Sequence, residues 1–319
     1  MTTTKTENDI MEDQSPLDLF PLPGRQVPSA DEVFFDHVAW LVHDMDAASE
    51  VFEKLGFKLT PYSVHGNRDP ETGERVPQGT ANRLAMLGSG YIELLCDAGD
   101  VVKPVVEDLR ARLDRYSGVH LLAFSDSDAE DAYKRIFNDG FRLQPMVELR
   151  RDVEAADGSQ DEVKFSVIRA AFDEIPEGRI QALTHHTPDL MWQDRYIARD
   201  NGISGMVDAV VCVENPTQSA ERMARLLAQK VVVVDDHETA VVCARGGLRF
   251  VTQNRLAEIV PDFKPASLPY TAAIGFKADD YQKSADFFHN CGMRVFETED
   301  GIIVHPDDSL GTAMIVYRS

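Results

Sequence analysis

Four times along this chain of 319 residues one pattern restarts. An apolar strand leads to a residue able to cap a helix, an amphipathic helix follows, and three further strand-like segments complete the unit. The first copy opens on Phe35-Asp36-His37-Val38-Ala39-Trp40-Leu41-Val42, with Asp44 or Asp46 as the cap and Ala48, Val51, Phe52 and Leu55 on one helical face. Gly56 ends that helix, and Phe57 supplies the apolar contact of a left-handed cap. Strands are expected over 58–64, 83–87 and 91–96. The second copy runs from strand 119–124 past Asp126 and Asp128 to a stripe of Ala129, Ala132, Tyr133, Ile136 and Phe137. Gly140-Phe141 stops that helix, and strands are expected over 142–149, 163–171 and 179–184. The third begins at Met206 and opens its helix with Asn215-Pro216, but has Gln229-Lys230 where a closing Gly is expected. The fourth begins at Tyr270 and ends its helix at Gly292-Met293.

Such repetition decides architecture before any single motif does. One βαβββ unit has too little core to stand alone, so units must pair and close their curved sheets over a shared interior. The expected fold is α+β: four βαβββ modules paired into two curved-sheet pseudo-barrel domains over 33–196 and 203–319, joined by 195–204. Residues 1–32 read as a flexible tail, with one apolar island, Leu17 to Pro23, suited to docking on the body. The charged insert 150–161 contains Asp157-Gly158 and reads as a hairpin loop.

Composition narrows the partners. With hydrophobic residues at 43% and charged residues at 27%, the chain is globular rather than disordered. A net charge of −22 repels phosphate backbones and anionic lipid, so no nucleic-acid or membrane partner is expected. No apolar run approaches the roughly 20 residues of a membrane span. The polar, acidic start is unlike a signal peptide, and a cytoplasmic protein is expected. Cys96, Cys212, Cys243 and Cys291 are far apart in apolar stretches, as buried reduced thiols would be. The acidic runs near Asp126–Asp131 and Asp279-Asp280 lack calcium-loop spacing. No GxSxG or Cys/His signature of acyl chemistry appears.

Polar residues isolated in apolar strands are the candidates for chemistry. Glu93 stands alone in Tyr91-Ile92-Glu93-Leu94-Leu95, and burying a carboxylate without a partner costs several kcal/mol. His37 and His120 are isolated in the first strands of units one and two, and Gln181 occupies in Arg179-Ile180-Gln181 the place of Glu93 in Tyr91-Ile92-Glu93. Imidazole and oxygen donors of this kind suit Fe, Mn, Zn, Ni or Co as the divalent ion, and open positions would let a substrate chelate through two neighbouring oxygens. With Asp44 and Asp126 taken as equivalent, His37 aligns with Val119, one residue before His120.

Asp36-His37-Val38-Ala39-Trp40, Gly79-Thr80-Ala81-Asn82-Arg83-Leu84, Tyr91-Ile92-Glu93-Leu94-Leu95 and the run Arg179 to Trp192 resemble the glyoxalase-like branch of the vicinal oxygen chelate superfamily. The resemblance covers 35–200; the second half is similar in layout only. It implies His37, His120 and Glu93 as metal ligands, with Gln181 a fourth. Extradiol dioxygenases carry their acidic ligand on the last strand of a pair, where this chain has Gln181, and the acid stands at Glu93 instead.

By alternation His185 shares the face of Gln181, which suits a general acid–base, an orienting group or a replacement ligand. His65, Asn82, Arg83, His186 and Trp192 are expected to contact substrate, and Arg68 and Arg75 to draw an anion into the cup. The expected function is a metal-dependent lyase or isomerase of glyoxalase type acting on a small molecule, or an extradiol-type dioxygenase with Fe(II). The alternative is a sequestering protein of the same fold. Module-pairing folds commonly dimerise, so a homodimer is an open expectation.

Overall fold

The computed structural model describes residues 15–68, 71–99, 101–197 and 200–318. The first element among the described residues is a short helix, α1 (Pro16–Leu19). The first module follows: β1 (Val33–Leu41), α2 (Met45–Lys54), β2 (Ser63–Arg68), β3 (Arg75–Met86) and β4 (Tyr91–Asp97). Helix α3 (Pro104–Leu113) leads to the second: β5 (Gly118–Asp126), α4 (Ala129–Asn138), β6 (Val147–Glu154), β7 (Gln160–Arg169) and β8 (Arg179–His185). After α5 (Pro188–Met191) come β9 (Ile203–Cys212), α6 (Pro216–Leu227), β10 (Lys230–Asp235), β11 (Glu238–Val242) and β12 (Gly247–Val251). Helix α7 (Gln253–Ile259) then precedes β13 (Tyr270–Ala278), α8 (Tyr281–Asn290), β14 (Val295–Glu297), β15 (Gly301–Val304) and β16 (Ala313–Tyr317). The fold is α+β, with the βαβββ order repeated four times.

Within each module the first strand lies parallel to the last, and first strands pair antiparallel, β1 with β5 and β9 with β13. The first module pair curls into a cup. Its outer strands β2 and β6 approach through an Arg151 N–H donated to the Gly66 carbonyl at 3.0 Å, without strand pairing, so the barrel stays open. The helices pack on the outer faces in one core that takes Phe52, Leu122, Met223 and Phe288 from the four modules.

Differences from the expected pattern lie at edges. Residues 58–62 are not strand; β2 begins at Ser63 and β3 already at Arg75, eight residues before the expected start of the second strand, so the two form a β-hairpin. The insert 150–161 is a hairpin whose arms are β6 and β7, with the turn at Asp157-Gly158. Residues 1–14 lie outside the described residues. Residues 15–32 do not hang free: Phe20 is 1% exposed and sits against Gly247, where a Cβ would come within 2.5 Å of its ring. Arg245 fixes the same segment by donating to the carbonyls of Arg25 and Gln26. All four cysteines are free thiols, and three are buried; Cys291 is half-buried.

Candidate active site

Strand register builds the site in rows. Across β4, β1, β5 and β8, Tyr91, His37, Ala123 and Gln181 stand side by side, and the next row is Glu93, Ala39, Leu121 and Arg179. Arg169 of β7 continues the first row beside Gln181. Side chains two apart share a face, so these groups look into the cup. The cup encloses a cavity of about 690 Å³ lined by His37, His65, Asn82, Glu93, Gln181 and the three arginines 151, 169 and 179, among others. Ala39 and Ala123 are small, which leaves the space in which His37 and Gln181 meet.

A buried carboxylate that sequence reasoning did not assign organises this arrangement. Asp36 accepts from His37 Nδ1 at 2.7 Å and from His185 Nε2 at 3.0 Å. Burial alone would push its pKa up, but the pull of His185 and His37 outweighs it and holds the carboxyl well below the usual carboxylate range. The bond to Asp36 places the His37 ring proton on Nδ1 and leaves the Nε2 lone pair toward the cavity, where the Gln181 amide donates to it at 3.3 Å. Tyr91 stacks on the His37 ring, centroids 4.2 Å apart. A lone acid in an apolar strand was the signal, as it was for Glu93.

Glu93 accepts from the Asn82 amide at 2.6 Å. His65 bonds to Thr80 Oγ1 at 2.9 Å, and burial lowers its pKa to about 4, so it is neutral near pH 7. Both side chains line the cavity as expected.

His120 does not join them. Its Nε2 donates to the Tyr116 carbonyl at 2.8 Å and its ring stacks on Tyr116 at 3.8 Å, outside the cavity. The reason is a β-bulge. Register shifts leave Asp36 without a partner in β1 and His120 without one in β5, so these two are counterparts. The counterpart of His37 is then Leu121. The helix caps agree: Asp44 follows His37 by seven residues, and Asp128, the observed cap of α4, follows Leu121 by seven. Choosing Asp126 instead of Asp128 misaligned the strand.

His185 also misses the cavity. It stands behind Asp36, its Nδ1 has no partner, and Trp192 packs edge-on against it at 4.7 Å. The ring expected to face the cavity bonds Asp36 instead. His186 bonds Ser166 Oγ at 2.7 Å on an exposed surface, and Trp192 donates to the Gly90 carbonyl at 3.3 Å. Arg83, next to Asn82 on the strand, points away from the cup. None of these three lines the cavity. Arg75 reaches Asp152 at 3.8 Å on the surface, and the Arg68 side chain lies outside the described residues.

The second module pair has Asp208, Ala273, Arg249 and Ile315 at the positions of His37, Leu121, Glu93 and Gln181. Arg249 donates twice to Glu238, at 2.6 and 3.0 Å, and the Tyr317 hydroxyl donates to Asp208 at 2.8 Å. Burial, only partly offset by Arg249, raises the Asp208 pKa to about 6. Phe20 packs in the same apolar cluster with Leu256 and Ile259 of α7, so the second cup is filled by the chain itself.

A glyoxalase-like domain model matches residues 35–227, more than half of the chain. The chain belongs to the glyoxalase-like domain family. Its fold is that of the vicinal oxygen chelate superfamily. A solved structure of a hypothetical protein from Staphylococcus aureus is similar at 13% identity and a TM-score of 0.58, covering 88% of this chain and 98% of that one. A mutant 4-hydroxymandelate synthase from Streptomyces coelicolor is similar at 14% identity and a TM-score of 0.50, covering 84% and 77%. At such identities the likeness is one of fold. No curated protein matches the chain.

The superfamily implies a divalent metal, and the donor set is short of one. Among the described residues no three His, Cys, Asp or Glu side chains gather as a metal site. At the four donor positions of the first cup stand one imidazole, one carboxylate, one amide and the hydrocarbon of Leu121. The carboxylate is already bonded by Asn82 and lies in the field of three guanidiniums, which oppose a dication. These residues do not fit a resident ion.

Proposed function

We propose that the chain is an enzyme of lyase or isomerase type that acts on a small molecule with two neighbouring oxygens, and that His37 moves the proton. The observation that carries this reading is the Asp36–His37 pair, which aims Nε2 into the cavity beside Gln181 and Glu93. Nε2 takes a proton from the carbon next to a carbonyl. The released electron pair moves onto the carbonyl oxygen as an enolate, which accepts from the Gln181 amide. Asp36 stabilises the imidazolium, and His37 returns the proton to a leaving oxygen, or to the former carbonyl carbon while the hydroxyl proton of the first carbon passes to the enolate oxygen and that carbon becomes the new carbonyl. His185 holds Asp36 in place. Oxygen-dependent ring cleavage would rest on an Fe(II) ligand set that this cavity does not assemble.

Proton nuclear magnetic resonance in D2O tests the reading with a panel of α-hydroxy and α-oxo carbonyl compounds. We expect exchange of the acidic C–H by the intact protein, and loss of it in His37→Asn. Ligand binding without exchange would favour sequestration. Metal analysis of the purified protein is the companion measurement: about one ion per chain, lost in His37→Asn, would overturn the metal-free site.

A further inference from the structure

Three guanidiniums face the cavity without a carboxylate in ion-pair contact, among the described residues. Arg151 comes from β6, Arg169 from the end of β7 and Arg179 from the start of β8. Register puts Arg169 beside Gln181 and Arg179 two residues before it, so both share the concave face. The Nε atoms of Arg169 and Arg179 are buried and have no hydrogen-bond partner. Among the described residues none of the three makes an ion pair; Arg151 donates only to the carbonyls of Gly66 and Arg150. The rim acids Asp152 and Glu154 already face Arg75 and Arg195. The field of Glu93 reaches all three and that of Asp108 reaches Arg179, but Glu93 is held by Asn82 and Asp108 is paired with Arg112 at 2.9 Å.

Burial depresses all three guanidiniums; Arg169, pushed to about 10, also feels the charges of Arg179 and Arg151, and each of the three stays charged at neutral pH. Gathering buried guanidiniums without ion-pair partners works against folding, and an anion entering the cavity relieves it. Planar forks of N–H donors match the oxygens of a carboxylate or phosphate.

We propose that Arg151, Arg169 and Arg179 bind an oxyanion group, carboxylate or phosphate, of the small molecule that occupies this cavity. The proposal rests on the reading of the cup as a substrate site and adds the class of substrate: an anion whose charged end lies on the β7–β8 side while its reacting end meets His37 on β1.

Calorimetric titration of the full chain with malonate and with inorganic phosphate, at ionic strength held constant by chloride, tests it. We expect saturable binding of at least one, weakened about tenfold or more in Arg169→Gln and in Arg179→Gln, and weakened less in Arg169→Lys. Tighter malonate assigns a carboxylate, and tighter phosphate assigns a phosphoryl group. The Gln variants are expected to melt no lower than the parent without anion, because they remove an unpaired charge. Arg142→Gln, on an exposed arginine paired with Asp173 and Glu174, leaves binding unchanged. Equal binding by the parent and the Arg169→Gln/Arg179→Gln double variant, or none by the parent, overturns the proposal. His37→Asn should keep anion binding while losing proton exchange, so failure of one reading is separable from failure of the other.

Discussion

At the scale of the residue, Asp36 is the group on which His37 depends. Asp36→Asn keeps the shape but lets the amide hold the other tautomer, turning the His37 lone pair away from the cavity. In a comparable carboxylate–imidazole pair that change costs about 10⁴ in turnover, and we expect a loss of that order in steady-state rate. Its pH profile should shift, which a merely structural defect would not produce. His120 gives a second prediction. Burial lowers its pKa to about 4, below the 6.5 of an unfolded histidine, so its contribution to stability is complete above pH 6.5 and is lost as pH falls toward 4. The raised carboxyls of Asp126 and Asp208, both about 6, act in the opposite direction over 3.8 to 6. Denaturant unfolding of His120→Gln and parent at pH 7 and pH 4.5 isolates the term; the variant should lose about 1–3 kcal/mol less on acidification. Glu93 and His37 were legible because isolated polar groups in apolar strands demand partners. The arginines were not, since Arg151, Arg169 and Arg179 read on paper as ordinary strand-edge charges and only curvature brings them together.

Elements show where local rules were obeyed and where tertiary packing intervened. Asp44, Asp128, Asn215 and Asp280 all cap their helices with side-chain bonds to the first turn. The helix lacking its Gly still ends left-handed: Ala228 takes φ 53°. A residue with a Cβ pays about 1 kcal/mol there, so Ala228→Gly should raise stability by roughly 0.5–1 kcal/mol in urea titration. Helices α3 and α7 lie outside the βαβββ order, in the corresponding links between paired modules, and Leu109 and Leu113 of α3 pack in one cluster with Ala39, Leu121 and Ala123 of the first cup. The N-terminal island docks as its apolar run suggested. Truncating Phe20 to Ala removes a wholly buried ring and should destabilise by about 3–5 kcal/mol, read by thermal or denaturant unfolding.

Across the whole molecule the two module pairs are bound together rather than strung in line. The Trp40 indole donates to the Ser309 carbonyl at 3.0 Å, and the Val119 amide donates to Thr312 Oγ1 at 2.9 Å. With one core drawn from all four modules, residues 33–196 expressed alone should lack fixed packing; near-ultraviolet circular dichroism and limited proteolysis check this, and a sharp cooperative melt of that fragment would contradict it. The fourfold repeat was readable because helix and strand periods differ. Which cup stays hollow was not, because filling the second depends on Phe20 and α7 arriving from distant stretches of chain. No helix among the described residues is long and apolar enough to cross a membrane.

The unpaired positions at Asp36 and His120 bear on substitution. Because each stands outside the ladder, its side chain can be exchanged without disturbing the strands on either side. In one module the slot holds the acid that bonds an imidazole, and in the other an imidazole stacked on a tyrosine. A symmetric frame thus carries asymmetric chemistry, set by a single slot in the chain.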